Sequence, residues 1–168
     1  MRETTKTIKP FYPWLVWLIA ALFVSYQFIL QTSTSVMVTR LEHDLHVSAL
    51  GVSLISSSFF YTYILFQIPA GILTDCLGPR RVLGGSILLC VLSAVWFAMS
   101  QSPASAECAR LLMGFSVSTG VVVALYLAAT WFDIKRFALL VGLTEMTGML
   151  GGALGEMILS PVVSAGFG

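Results

Sequence analysis

Of 168 residues, nine are Lys or Arg and eight are Asp or Glu, so 10% are charged against 57% hydrophobic, and the net charge is +1. A soluble domain carries roughly 25% charged side chains, and so thin a polar coat cannot cover a water-soluble globule. That excludes a cytosolic enzyme, a nucleic-acid binder and a disordered tail and leaves an all-α polytopic membrane protein.

Asp, Glu, Lys and Arg are absent from residues 10–39, 45–74, 82–106 and 111–132, and beyond 136 only Glu145 and Glu156 occur. A spanning helix needs about 20 mostly apolar residues. The pattern therefore predicts a segment 1–13 outside the bilayer, then spans near 14–38, 48–73, 82–101, 104–131 and 137–161, with 162–168 a truncated outer end. Only helices suit such segments, because backbone groups in hydrocarbon must be satisfied within the segment.

Seven of the nine basic residues (Arg2, Lys6, Lys9, Arg80, Arg81, Lys135 and Arg136) fall on one side of this arrangement. The positive-inside bias makes that side, and the N-terminus, cytoplasmic. The first apolar stretch is too long for a cleaved signal, and Trp14 and Trp17 stand where an interfacial anchor belongs. Met1-Arg2 excludes N-myristoylation. The expected location is a cell membrane of the cytoplasmic or inner type.

Along the chain, the first connection, residues 40–47, reads as a short polar loop, with Ser48 as N-cap of the second span. His43 and His46 in it read as solvated rather than metal-ligating, since no Cys or third His accompanies them. The turn at Ser102-Pro103 makes the third and fourth spans antiparallel neighbours. Cys76, Cys90 and Cys108 fall at different depths, with opposite faces about 30 Å apart. A disulfide needs Cα atoms within about 7 Å, so all three are expected as free thiols.

Residues 71–81, Gly-Ile-Leu-Thr-Asp-Cys-Leu-Gly-Pro-Arg-Arg, end one helix and start the next. Gly78 supplies a positive φ and Pro79 suits a first helical turn. The stretch resembles the signature of the major facilitator superfamily of secondary transporters, Gly-x-x-x-Asp-(Arg/Lys)-x-Gly-x-(Arg/Lys)-(Arg/Lys). Gly71, Asp75, Gly78, Arg80 and Arg81 match it, and Cys76 departs where the family has a base. Arg110-x-x-x-Gly114 and the run Trp131–Arg136 before a glycine-rich fifth span also fit. The resemblance covers about residues 11–160. It implies the first five helices of a six-helix half, an inner-loop gating motif at 71–81, a small-molecule substrate moved by alternating access, and a missing second half or partner chain. A non-transporting five-helix subunit that needs a partner is the alternative.

Polar residues within the spans are read equally as cavity lining or as interhelical hydrogen bonding that holds the bundle together, worth about 0.6 kcal/mol each. At 100° per residue Gln27, Gln31 and Thr34 share a face of the first span, and Ser56, Tyr63 and Gln67 a face of the second, just before Pro69. The third span has nothing more polar than serine between Val82 and Ser100, as expected of an outer, lipid-facing helix. Glu145 and Glu156 lie about 20° apart around the fifth span and roughly 16 Å apart along it. An acid at the bilayer centre costs about 2.5–3.5 kcal/mol, which argues for a cavity or partners. Glu145 is read as a proton-coupling carboxyl or as the answer to Lys135 or Arg136. Arg110 is read as pairing with Glu156, with Glu107 competing, or as holding an anionic substrate. Gly148, Gly151, Gly152 and Gly155 form small-residue stripes for close helix packing.

An intramembrane protease is not supported. Both histidines lie in the first connection, Gly114–Ser118 lacks the second glycine of a nucleophile elbow, and no His-Glu-x-x-His occurs. No cofactor or metal site is expected.

Overall fold

The computed structural model describes residues 11–164. Six helices follow one another: α1 Tyr12–Val36, α2 Val38–Leu45, α3 Ala49–Leu77, α4 Pro79–Ala98, α5 Pro103–Trp131 and α6 Ile134–Ser164. All but α2 are long and apolar enough to cross a membrane. Arg2, Lys6 and Lys9 lie outside the described residues, as does most of the segment before the first span and residues 165–168.

The helix ends follow local chemistry. Pro79 and Pro103 each occupy a first turn, where a missing N–H costs nothing. That is why α4 starts earlier than the charge pattern places it. The Ser102 hydroxyl caps α5 by accepting from the Ser105 N–H at 3.3 Å. Ser48 stands at the N-cap of α3, but its side chain makes no capping bond. Pro69 sits inside α3 without ending it.

The first connection is a correction. Residues 40–47 are largely helical, because Leu41 and Leu45, one turn apart, bury against Val52, Ile55 and Ala106. That apolar pair turns a polar stretch into a short amphipathic helix across the bundle end. His43 sits 3.3 Å from Asp44, both on the open side. His46, at φ +52°, closes the helix in the left-handed region.

α5 is the axis of the bundle. Its buried residues recur along nearly its whole length, whereas α4 buries one stripe of Val82, Leu83, Ser86, Cys90 and Ser93. Leu88, Val91, Leu92, Val95 and Trp96 of α4 stay exposed, as a lipid-facing helix requires. α3 packs chiefly on α5, and α1 chiefly on α6.

Both helix pairs depend on glycine. A Cβ on Gly114 would collide with the Phe59 carbonyl oxygen and the Thr62 hydroxyl, and it would lie 2.9 Å from the Phe59 carbonyl carbon. The Thr62 hydroxyl donates across this contact to the Leu111 carbonyl at 2.7 Å. On α6 the expected small-residue stripe meets α1: Gly148 faces Phe28, Gly151 faces Ser25 and Gly155 faces Ile29. The Ser25 hydroxyl donates to the Thr147 carbonyl at 2.6 Å. In hydrocarbon, close packing and interhelical hydrogen bonds replace the hydrophobic effect as the force between helices.

The three cysteines are free; Cys76 and Cys108 are exposed and Cys90 is buried. The cytoplasmic N-terminus expected from the positive-inside bias predicts a labelling pattern. A membrane-impermeant maleimide should modify Cys108 in intact cells, Cys76 only in inside-out vesicles, and Cys90 only after denaturation. Labelling of Cys76 in intact cells would reverse the orientation.

Candidate functional site: a buried arginine behind a hydroxyl-lined groove

Arg110 is the largest fully buried side chain, at 0% exposure. Its own helix and three others, α1, α3 and α4, supply what surrounds it. From α1, the Leu30 carbonyl accepts from Nη1 at 3.0 Å and the Thr34 hydroxyl from Nη2 at 3.0 Å. The Phe59 ring of α3 lies 5.0 Å from the guanidinium carbon, and the Phe97 ring of α4 lies 5.6 Å away. The Met113 sulfur accepts a longer contact of 3.8 Å, and Nε has no partner.

This arrangement overturns the pairing of Arg110 with Glu156 or Glu107. Glu156 is exposed on α6, and Glu107 points to the open side of α5. The shared depth that suggested the pair ignores direction around the helix. Arg110 points along the α1–α5 seam, where neutral oxygens and aromatic faces meet it. Among the described residues no carboxylate lies within ion-pair distance of Arg110, whose polar partners are the Leu30 carbonyl, the Thr34 hydroxyl and the Met113 sulfur.

Thr34 has a second role. It also lines a groove of about 420 Å³ between the α2-facing halves of α1 and α3. Gln31, Ser35, Ser53, Ser56 and Ser57 supply the other polar atoms, and Val52 and Phe60 the apolar ones. Each serine hydroxyl rests on a carbonyl of its own helix: Ser53 on Ala49 at 2.9 Å, Ser56 on Val52 at 2.8 Å, Ser57 on Leu54 at 3.0 Å. Such donors are satisfied in an empty groove and rotate to a ligand by exchanging one bond for another. On its other side Arg110 lines a second cavity of about 420 Å³, with Arg40, Asp44, Ser33 and Ser100.

Of the residues singled out from sequence, Gln31, Thr34 and Ser56 therefore meet in the groove, with Arg110 behind the Thr34 hydroxyl. The others do not. Gln27 is buried, its Oε1 unpartnered and close to Gly120. Tyr63 stacks on Phe59, with ring centroids 6.1 Å apart. Gln67 is half-buried farther along α3, and Glu145 is half-buried on α6 with no ion pair to Lys135 or Arg136. Ser53 and Ser57 escaped the sequence reading, although with Ser56 they occupy i, i+3 and i+4 positions of one face.

The 71–81 turn has the expected backbone. Gly78 sits at φ +83°, ψ +150°, a region essentially closed to side chains. Gly78→Ala should cost about 1–3 kcal/mol, read as a lower unfolding midpoint in detergent. Asp75 and Arg81 are exposed, and neither forms an ion pair among the described residues. Arg80 lies over the Tyr12 ring at 4.6 Å and near the Trp131 ring at 6.0 Å. The contacts of this turn to α1 and α5 thus include cation–π stacking, worth about 0.5–2 kcal/mol. No charge spacing in the sequence signals it.

Residues 12–168 match the Major Facilitator Superfamily. A probable anion transporter 3, chloroplastic, of Arabidopsis thaliana is 26% identical over 136 residues, covering 80% of this chain and 26% of that protein. A quinolone resistance transporter of Acinetobacter baumannii is 27% identical over 105 residues, 60% and 24% of the two chains. A probable galactarate/D-glucarate transporter of Escherichia coli strain K12 is 26% identical over 129 residues, 73% and 29%. The chain spans about a quarter of the length of these relatives. The five apolar helices, the turn at 71–81 and this match together place the protein: it is a multi-pass membrane chain that belongs to the Major Facilitator Superfamily of transporters.

Proposed function

We propose that the chain is part of a secondary transporter that carries a small organic anion across a membrane by alternating access, with the α1–α3 groove on its path. One observation carries the reading: Arg110 is a fully buried guanidinium whose partners are all neutral. Burying a charge without an opposite one is strongly unfavourable, and it persists in membrane proteins where function uses it. An anion in the groove, one hydroxyl from Arg110, supplies the missing charge in a low-dielectric setting where the attraction is large. Two relatives bear names of anion carriers, which supports the same choice. The quinolone resistance relative favours drug export as the second reading.

Glu145 is the carboxyl best placed to couple transport to protons, being half-buried within α6 and free of ion pairs. The turn at Gly71, Asp75, Gly78, Arg80 and Arg81 serves as the inner gate. A cell membrane of the cytoplasmic or inner type is the proposed location.

The working unit is larger than this bundle. α4 covers one flank of α5, whereas the stripe Leu15, Leu18, Ile19, Leu22 and Tyr26 on α1 stays exposed. A further helix there would give α1 what α4 gives α5, as inverted three-helix repeats demand. The test is to size the native membrane product, reconstitute it in vesicles and measure uptake of galactarate, a neutral polyol and a quinolone. Galactarate uptake saturable and displaced by other small carboxylates supports the proposal. Uptake of the polyol or the quinolone alone, or a product with no transport, overturns it.

A further inference from the structure

A groove of about 210 Å³ opens between α3, α4 and α5 at the end of the bundle that carries the 71–81 turn. Leu73 and Leu77 of α3, Val82 and Leu89 of α4, and Phe115 of α5 form its walls. Gly85 leaves it open, since a Cβ there would meet nothing within 4 Å. Arg81 is the one charged residue in the lining. It is exposed, and no carboxylate of the described residues pairs with it.

The dimensions match one leaflet of a bilayer. From Arg81 to Leu89 the groove follows α4 for roughly 12 Å at 1.5 Å per residue, against about 15 Å for half the hydrocarbon core. The cation stands at the interface and the apolar slot runs inward from it. With Arg80, Lys135 and Arg136, Arg81 makes four bases at this end of the bundle against the two acids Asp75 and Asp133, so the local field favours anionic headgroups. Inward from Arg81 the only polar side chains of the lining are the Ser86 and Thr119 hydroxyls, and the Thr119 hydroxyl donates to the Ser116 carbonyl of its own helix at 3.1 Å, so the slot is mostly apolar.

We propose that this groove binds one phospholipid with an anionic headgroup: an acyl chain lies in the slot, and the phosphodiester accepts hydrogen bonds from Arg81. The lipid then links the ends of α3 and α4 on either side of the Gly78 turn, and its departure frees them. This site is separate from the α1–α3 groove and stands whether or not the substrate is an anion.

The test uses native mass spectrometry of the full-length protein in detergent, with dioleoyl phosphatidylglycerol and dioleoyl phosphatidylcholine as probes. Wild type should retain phosphatidylglycerol in preference to phosphatidylcholine. Arg81→Gln should weaken that retention roughly tenfold, the size of one charge-assisted hydrogen bond, and Arg81→Lys should restore part of it. Gly85→Leu fills the slot with Arg81 intact and should weaken retention as much, while Leu88→Ala on the exposed face of α4 should change nothing. Helical circular dichroism reports whether each variant is folded, and Gly85→Met is a second side chain long enough to occupy the slot. Equal retention by wild type, Arg81→Gln and either Gly85 variant overturns the site. Loss in Arg81→Gln alone, or full displacement of the lipid by inorganic phosphate, shows an anion site without a chain slot and overturns it as well.

Discussion

Gly114→Leu should prevent the bundle from assembling. The added side chain meets the Phe59 carbonyl oxygen, which belongs to the backbone of α3 and cannot rotate away. α5 must move off α3, and the Thr62 hydroxyl loses the Leu111 carbonyl. The core around Phe59, Met113 and Val117 then opens. Overpacking in a well-packed interior costs about 1–3 kcal/mol where side chains can adjust, and here the obstacle is main chain, so the cost lies at or above the top of that range. The expected result is protein that inserts but aggregates on extraction into mild detergent, read by fluorescence-detected size exclusion. Gly85→Leu, at a glycine with open space around it, is the matched control and should elute as wild type does.

Arg110→Met should separate stability from activity. The substitution removes two hydrogen bonds from α1, yet it also removes a buried charge that no carboxylate balances. Removing a buried charge that has no opposite partner also removes its desolvation cost, which offsets the two lost hydrogen bonds. A methionine side chain fits among Phe59, Phe97 and Met113, so the unfolding midpoint should hold or rise. Transport of an anion should fall at least roughly a hundredfold, the loss expected when a charged partner worth about 3 kcal/mol is gone. A purely structural arginine would lower both quantities together.

The charge-free stretches made five spans legible, because hydrocarbon tolerates few charges and only helices satisfy their own backbone there. The 71–81 turn was legible for a local reason: Gly78 and Pro79 impose their conformations whatever surrounds them. α2 was hidden because Leu41 and Leu45 are two apolar residues in a polar stretch, and only α3 and α5 give them something to cover. The candidate site was half legible. Periodicity placed Gln31, Thr34 and Ser56 on inward faces, but it could not tell groove from seam: Gln27 and Tyr63 share those faces and lie in the packed seam instead. Arg110 was legible from its place in the Arg110-x-x-x-Gly114 pattern and its depth in the fourth span; its partners were not. Which oxygen it reaches depends on how α1 crosses α5, and Gly120 against Phe23 and Gln27 is a close contact of that crossing, remote in sequence.

The central claim is that Arg110 supplies the charge that an anionic solute meets. The most direct measurement compares uptake of a small dicarboxylate by wild type and Arg110→Met in matched vesicles, alongside thermal unfolding of both. The account predicts uptake at background in the variant with its unfolding midpoint unchanged or higher. Undiminished uptake by a folded Arg110→Met protein would contradict it, and the search for the substrate's binding charge would move to other residues.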